Sequence, residues 1–143
     1  MIKNEVVEKI AFSIESAESA ELAARLGEEV AAQFGARDER PLSIVARDAQ
    51  GAFVGGLNGV SHWRWLYVRH LWVEKSQRGR GLGRRVMTEA ERLAQERGCV
   101  GVYVDTFDPQ AAAFYEALGF TRAGKIVGFP PGHARLFFRK LLR

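Results

Sequence analysis

The stretch that most constrains this chain is residues 77–85, Gln-Arg-Gly-Arg-Gly-Leu-Gly-Arg-Arg, in which three glycines alternate with basic and apolar residues. It lies between a strand-like run, 66–73, and a helix-like run that begins at Leu82. Glycine lets a backbone approach a ligand closely, because it has no Cβ and tolerates positive φ. A helix that begins at such a loop presents free N–H groups and the positive end of its dipole. Together with four arginines, these features predict a phosphate-binding loop.

The overall composition indicates one globular domain, residues 1–143, with 47% hydrophobic and 27% charged residues. A net charge of +4 favours an anionic ligand, but it is too small to indicate nucleic-acid binding. Cys99 is the single cysteine, so an intrachain disulfide is excluded. With no signal-peptide pattern and no apolar run of bilayer length, we expect a cytoplasmic protein that does not bind membranes.

The order of periodic segments predicts a mixed α/β (α+β) sheet with a strand–loop–helix–strand unit at its centre. Helices are expected at 16–34, 82–97 and 109–118, and Gly27 is expected to allow a split of the first into two. Asp108 followed by Pro109 is a typical start for the last helix. Strands are expected at 6–12, 42–46, 52–63, 66–73, 100–105, 121–127 and 133–142.

Glycine spacing distinguishes between the known phosphate loops. A Walker loop, Gly-x-x-x-x-Gly-Lys-Ser/Thr, is not present. The dinucleotide fingerprint Gly-x-Gly-x-x-Gly is not matched either, because Gly79, Gly81 and Gly83 have the wrong final spacing. The acidic residue expected about 20 residues further on is also missing, since the chain there reads Gly-Cys-Val. Both nucleotide motifs are therefore set aside.

Residues 78–83, Arg-Gly-Arg-Gly-Leu-Gly, match Arg-x-x-Gly-x-Gly and resemble the acetyl-CoA loop of the GNAT N-acetyltransferase superfamily. Residues 108–120, Asp-Pro-Gln-Ala-Ala-Ala-Phe-Tyr-Glu-Ala-Leu-Gly-Phe, resemble its second motif, Asn-x-x-Ala-x-x-Phe-Tyr-x-x-x-Gly-Phe. The resemblance extends over roughly 42–142, and the first part of the chain agrees in element order only. Stretches 105–111 and 129–133 resemble a group of small bacterial members whose acceptors are mostly unassigned.

This resemblance implies a GNAT fold, with a mixed, mostly antiparallel sheet of six to seven strands and about four helices. It also implies acetyl-CoA as co-substrate, with no metal. The strand before the loop would offer backbone groups to the acetyl and pantetheine part, and the loop amides would hold the pyrophosphate. The implied acetyl-CoA residues are Leu71, Trp72, Val73, Arg78, Gly79, Arg80, Gly81, Leu82, Gly83, Arg84, Asp108 and Tyr115.

Acetyl transfer to an amine needs a neutral amine, a polarised carbonyl and a proton donor for the leaving thiolate. The resemblance assigns the general acid to Tyr115. The general base is less evident. Asp105 is the preferred carboxylate, acting through water, and Glu74 and His62 are lesser candidates. Substrate contacts are expected from Tyr67, Arg69 and His62. Alternation places His70 on the opposite face from Tyr67 and Arg69, unless a bulge reverses it.

Three functions remain open at this point. The first is transfer of acetyl from acetyl-CoA to a primary amine of a small molecule by direct attack. The second is acetylation of protein N-termini or lysine side chains. The third is a non-catalytic acyl-CoA-binding module, because no base is obvious. The three histidines form no recognisable metal cluster, and a homodimer is expected from family habit.

Overall fold

The structure, a computed structural model, describes residues 9–143, and the chain divides into two compact units after Ala36. The first unit contains α1 (Ala20–Phe34). The N–H of Leu22 donates to the hydroxyl of Ser19 at 3.1 Å, which caps the start of the helix. The helix runs through Gly27 without a break and ends at Gly35, where φ is 95°. The expected end is confirmed, whereas the start at residue 16 and the split are wrong. The single-domain expectation for 1–143 stays a prediction.

The predicted first strand, 6–12, is wrong where it can be examined. Val6 and Val7 lie outside the described residues. Ile10 and Phe12 lie in chain without regular secondary structure. Apolar alternation does not by itself make a strand, because a strand forms only by pairing with a neighbour.

The second unit, Arg37–Arg143, is built on a six-stranded sheet of order β1-β2-β3-β4-β6-β5. The β3–β4 pair is parallel and the other four pairs are antiparallel, so the mixed, mostly antiparallel prediction is confirmed. The described residues contain three α-helices, one fewer than expected. The elements of this unit are β1 (Arg40–Arg47), β2 (Phe53–His62), β3 (Trp65–Val73), a 3₁₀ turn (Lys75–Gln77), α2 (Leu82–Glu96), β4 (Gly101–Thr106), α3 (Pro109–Ala117), β5 (Thr121–Val127) and β6 (Ala134–Leu141).

Helices α2 and α3 pack on one face of this sheet, here called the helix face. Alternate residues of the central strands point into this core, and most are almost completely buried. Burial of such side chains contributes about 1.5–3 kcal/mol each to folding, before the loss of chain entropy is counted. The core consists of Leu57, Leu66, Val68, Val86, Met87, Ala90, Ala94, Cys99, Val102, Val104, Ala112, Tyr115, Phe120 and Phe138.

The sheet opens between its two parallel strands. Pairing of β3 with β4 ends at Val68 opposite Val104. Beyond that point β3 continues beside β2 to Val73, and β4 continues beside β6 to Thr106. The two central strands therefore separate and leave a gap, here called the opening.

A β-bulge lies at the point where the opening begins. On β2, Asn58 pairs with His70 and Gly59 pairs with Val68, so Arg69 is the extra residue. Leu71 then packs against the helix-face core. By alternation His70 lies on the face away from the helices, here called the acceptor face, as Tyr67 does. The bulge thus reverses the side of His70 that simple alternation predicts.

Candidate active site

The three glycines of the loop serve two different purposes. Gly79 and Gly81 have φ of 76° and 82°, values that residues with a Cβ adopt at a cost. Gly83 is needed for space, since a Cβ there would lie 3.2 Å from the Phe114 ring on α3. No side chain caps the start of α2, so the first N–H groups of the helix remain available to a ligand.

A groove of about 640 Å³ runs along this loop, past the end of β3 and against α3. The predicted acetyl-CoA residues line it, with the exception of Arg80 and Tyr115. The groove is also lined by four residues that were not predicted as contacts: Gln77, Gln110, Ala111 and Phe114. The last three lie on one side of α3, and this spacing was visible in the sequence. The lining residues are Leu71, Trp72, Val73, Gln77, Arg78, Gly79, Gly81, Leu82, Gly83, Arg84, Asp108, Gln110, Ala111 and Phe114.

Two polar residues of the groove also stabilise its walls. The Arg78 Nε donates to the carbonyl of Val73 at 2.9 Å, which ties the loop to the end of β3. The Asp108 carboxylate accepts from the N–H of Gln110 at 3.0 Å and caps α3. Asp108 therefore caps α3 at the position where the motif that it resembles has asparagine.

The last residues of β3 offer backbone groups to the opening. The N–H of Glu74 donates to the carbonyl of Val54 on β2 at 2.8 Å. Since N–H groups alternate in direction along a strand, those of Leu71 and Val73 point away from β2, towards the opening. A strand edge without a partner is a suitable place for an extended, amide-containing ligand arm to bind.

Tyr115 lies on the helix face at the inner end of the opening. Its side chain is 6% exposed, and its ring centroid is 6.1 Å from that of Phe138 on β6. Phe138 pairs with Val104, the last residue of β4 that pairs with β3. Burial, together with the charge of Asp105, raises the pKa of Tyr115 to about 12. The phenol is therefore protonated throughout the neutral range and remains a donor.

Asp105 lies next to the same point but on the acceptor face. Its Oδ1 accepts from the Tyr67 hydroxyl at 2.6 Å. Its Oδ2 accepts from Nε of Arg135 at 2.7 Å, and the Nη2 of the same arginine donates to that oxygen as well. The two oxygens of a carboxylate have about four acceptor sites, and three are in use here. One site, on Oδ1, remains for a further donor such as an amine or a water.

Aromatic rings surround this carboxylate. The Tyr67 and Tyr103 rings stack with centroids 4.8 Å apart, and Trp65 meets Tyr103 edge-on at 6.4 Å. Burial, followed by the hydrogen bond to Asp105, raises the pKa of Tyr67. Burial also raises the pKa of Tyr103, with a smaller contribution from Asp105. All three tyrosines of the chain are thus held in the neutral form in the folded protein.

Some candidate residues are not brought to the opening. His62 ends β2 at the opposite end of the β2–β3 hairpin, and its Nδ1 lies 3.2 Å from the Asp38 carboxylate. Glu74 accepts from the N–H of Ser76 at 2.7 Å and caps the 3₁₀ turn. Within residues 9–143, His, Cys, Asp and Glu form no group of three or more that could hold a metal. Over the same residues, no helix is long and apolar enough to cross a bilayer.

Arg135 is the functional candidate that sequence reasoning missed. It lies 30 residues from Asp105, on a strand whose register depends on the β5–β6 turn. Its guanidinium lies 4.9 Å from the centroid of the Phe129 ring, which holds it beside the carboxylate. The only available signal was an acidic and a basic residue on two predicted strands, 100–105 and 133–142, because the sequence does not specify which strands or positions face each other.

The glycine loop lies at the start of a helix, beside a strand edge that an opening in the sheet exposes. This arrangement is that of an acyl-CoA-dependent acyltransferase. The model of the Acetyltransferase (GNAT) family matches residues 8–120. The chain belongs to this family, and it is an acetyl-CoA-dependent acetyltransferase.

Named relatives and a solved structure agree with this assignment. An acetyltransferase of Agrobacterium fabrum is 38% identical over 109 residues, which are 76% of this chain and 80% of that protein. The blasticidin-S acetyltransferase of Streptomyces morookaense is 43% identical over 99 residues, 66% of this chain and 73% of that protein. The crystal structure of an acetyltransferase from Bacillus cereus superposes with a TM-score of 0.79 at 28% identity, covering 92% of this chain and 98% of that one.

Proposed function

We propose that this protein transfers the acetyl group of acetyl-CoA to an amine of a small molecule by direct attack, without an acyl-enzyme. The observation that supports this most strongly is the placement of Tyr115 and Asp105 on opposite faces of the sheet at one opening. The donor then enters from the helix face and the acceptor from the acceptor face. The relative named for blasticidin S favours a small-molecule acceptor.

In this proposal the acetyl-CoA residues are those predicted from the sequence, with Arg80 and Tyr115 outside the wall of the open groove. Acetyl-CoA supplies an activated thioester. The free N–H groups of α2 hold the pyrophosphate, and the N–H groups of Leu71 and Val73 bind the arm that reaches the opening. A backbone N–H at the end of β3 also stabilises the carbonyl oxygen as it gains negative charge.

The proton balance assigns two roles. A nitrogen–carbon bond forms, the carbon–sulfur bond breaks, the amine loses one proton and the sulfur gains one. Asp105 orients the amine through its remaining acceptor site and passes the proton on through water. Tyr115 donates to the sulfur. Its pKa lies about 3–4 units above that of an ordinary thiol, so the tyrosinate left after the transfer is reprotonated at neutral pH by the water that accepted the proton of the amine.

Thiol release over a panel of acceptors tests this function. The panel contains blasticidin S, simple primary amines and peptides with free N-termini or lysines. We expect acetylation of at least one small amine and little or none of the peptides. Peptide acetylation alone would replace this proposal with a protein N-acetyltransferase, and no turnover despite acetyl-CoA binding would leave a binding module. Thermal stabilisation by acetyl-CoA, with NAD and ATP as controls, establishes donor binding independently.

A further inference from the structure

A second concave site lies on the acceptor face beside the opening, across β1, β2 and β3. It is a pocket of about 450 Å³. Three polar residues form a row across it, since Ser43 pairs with Asn58 and Asn58 pairs with His70 on consecutive strands. The lining residues are Pro41, Leu42, Ser43, Asn58, Gly59, Arg69 and His70, and none of them is acidic.

The bulge brings His70 to this pocket beside Arg69. Because Arg69 is the extra residue at the bulge, it has no partner on β2. Pairing of β3 with β4 ends one residue earlier, at Val68. The bulge reverses the side of His70, so that His70 lies on the acceptor face together with Arg69. The guanidinium carbon of Arg69 lies 6.0 Å from the centroid of the Tyr67 ring.

Arg69 and Arg135 differ in whether an acidic side chain balances their positive charge. Arg135 is matched by the Asp105 carboxylate. Among the described residues, Arg69 forms no ion pair with an acidic side chain. Within residues 9–143, the pocket therefore contains a cation that forms no salt bridge with an acidic side chain.

The neighbours of Arg69 add hydrogen-bond donors to this charge. The Asn58 side-chain nitrogen lies 3.4 Å from Nδ1 of His70. The amide of Asn58 and the imidazole of His70 each contain a nitrogen that can donate a hydrogen bond. Together with the Ser43 hydroxyl and the guanidinium, the pocket offers several donors to one group. Donors arranged around a guanidinium are typical of carboxylate and phosphate recognition.

We propose that this pocket binds an anionic group of the acetyl acceptor, a carboxylate or a phosphate. The inference rests on the proposed function and specifies its substrate class: amines that carry a negative group at a distance from the nitrogen. Asp105 receives the amine end and Arg69 the anionic end. The Tyr67 side chain separates the two, because its hydroxyl meets Asp105 and its ring meets Arg69.

Binding of matched amines to the protein saturated with coenzyme A tests this directly. The probes are ω-amino acids of increasing chain length, the corresponding amides and the ω-aminoalkyl phosphates. At the optimal length, we expect an anionic probe to bind about 10-fold more tightly than the amide. The carboxylate and phosphate series identify which anion is preferred. Equal affinity for amides and anionic probes at every length would overturn the proposal.

Arginine variants test whether Arg69 causes the preference for anionic probes. R69Q removes the preference for anionic probes, with an increase of about 10-fold in their dissociation constants and no change for amides. R69K retains part of the preference, because it keeps the charge but loses the planar fork. R139Q is the matched control, since Arg139 is an exposed arginine on the same face outside the pocket, and it leaves the preference unchanged. An equal loss for amides and anionic probes in R69Q would contradict the assignment.

Turnover of the same probes separates this inference from the proposed function. Preferred binding of anionic probes without any acetylated product would support the pocket and refute acetyl transfer. Acetylation of amides and anionic probes with equal kcat/KM would support transfer and refute the pocket. With both proposals correct, R69Q raises KM for anionic acceptors and changes kcat less than twofold.

Discussion

The donor groove and the acceptor face differ in how they are built. The groove is formed by two continuous segments, 77–84 and 108–114, together with the end of one strand. Much of its binding capacity lies in backbone N–H groups at the start of α2 and along β3. The acceptor face is formed by side chains on several strands, and the contacts of Asp105 reach back to Tyr67 and forward to Arg135.

The difference follows from the ligands. A pyrophosphate and an amide-containing arm are recognised by backbone groups, and backbone recognition needs specific φ values and close approach. Those needs restrict residues near one another in sequence, such as Gly81 and Gly83. An acceptor is recognised by side chains, which can differ among proteins that share one fold. Substitutions at the opening, where the two regions meet, test this division most strongly.

The largest effect is expected at Tyr115, on the donor side. Y115F removes one hydroxyl and keeps the ring, which packs against Phe120 and Phe138. If the hydroxyl donates to the leaving sulfur, kcat falls about 100-fold or more, in the range of general-acid losses. Acetyl-CoA affinity changes less than twofold, because Tyr115 does not line the open groove. Steady-state kinetics and calorimetric titration measure the two quantities.

Y103F serves as the matched control for Y115F. Tyr103 is a tyrosine of the central strand β4 but stacks on the acceptor face, away from the helix face. We expect the kcat of the Y103F variant to stay within a few-fold of that of the unsubstituted protein. Unchanged kcat in Y115F would remove the general-acid role and leave Tyr115 as a core residue.

On the acceptor side, D105N is expected to lower kcat/KM for the amine by about 10- to 100-fold. Asparagine retains the shape and an acceptor oxygen but loses the charge that holds Arg135 and orients the amine. Acetyl-CoA binding should not change, because Asp105 lies outside the groove. R135K should give a smaller fall, since lysine keeps the charge without the two-point contact. An equal loss of donor and acceptor binding in D105N would show that the two regions are not separate.

Sequence reasoning predicted the donor groove better than the acceptor face for a physical reason. The positive φ at Gly79 and the cap at Asp108 are local properties, and local sequence specifies them. The bulge at Arg69 and the Arg135–Asp105 pair depend on register between strands distant in sequence. Register is set by the whole sheet, so neither feature could be predicted from one segment.

The same reasoning applies to the fold. The six strands of the sheet and helices α2 and α3 were predicted close to their observed bounds, because strong periodicity and glycine or proline stops define them. The strand predicted at 6–12 rested on apolar alternation alone, without a predicted pairing partner. The split of α1 at Gly27 overestimated the cost of one glycine, which is about 1 kcal/mol in a helix of 15 residues.

Alkaline pH provides a smaller test that joins the two regions, because burial, with a smaller contribution from the charge of Asp105 on the other face, raises the pKa of Tyr115. The pKa of Tyr115 is higher in the folded protein than in the unfolded chain, so the folded state binds this proton more tightly. The resulting stabilisation is complete below about pH 10 and is lost as the pH rises towards 12. For Tyr115 the loss amounts to about 2–3 kcal/mol in the free energy of unfolding. Urea unfolding between pH 9 and 12 should show this decline, and Y115F should make it less steep, while Tyr67 and Tyr103, whose pKa values are also raised, still contribute. An equally steep decline in Y115F would assign the effect to other groups.

The smallest effects are expected when alanine replaces either of two glycines, one in the loop and one in α1. G81A introduces a Cβ where φ is 82° and nothing lies within 4 Å, so its cost is conformational, about 1–2 kcal/mol. If acetyl-CoA requires this loop conformation, the dissociation constant of acetyl-CoA rises by up to about 5- to 30-fold. G27A, in the middle of α1 with equally open surroundings, should stabilise the fold by up to about 1 kcal/mol and leave acetyl-CoA affinity unchanged. A destabilised G81A that binds acetyl-CoA normally would mean that the loop glycines support the fold rather than the donor.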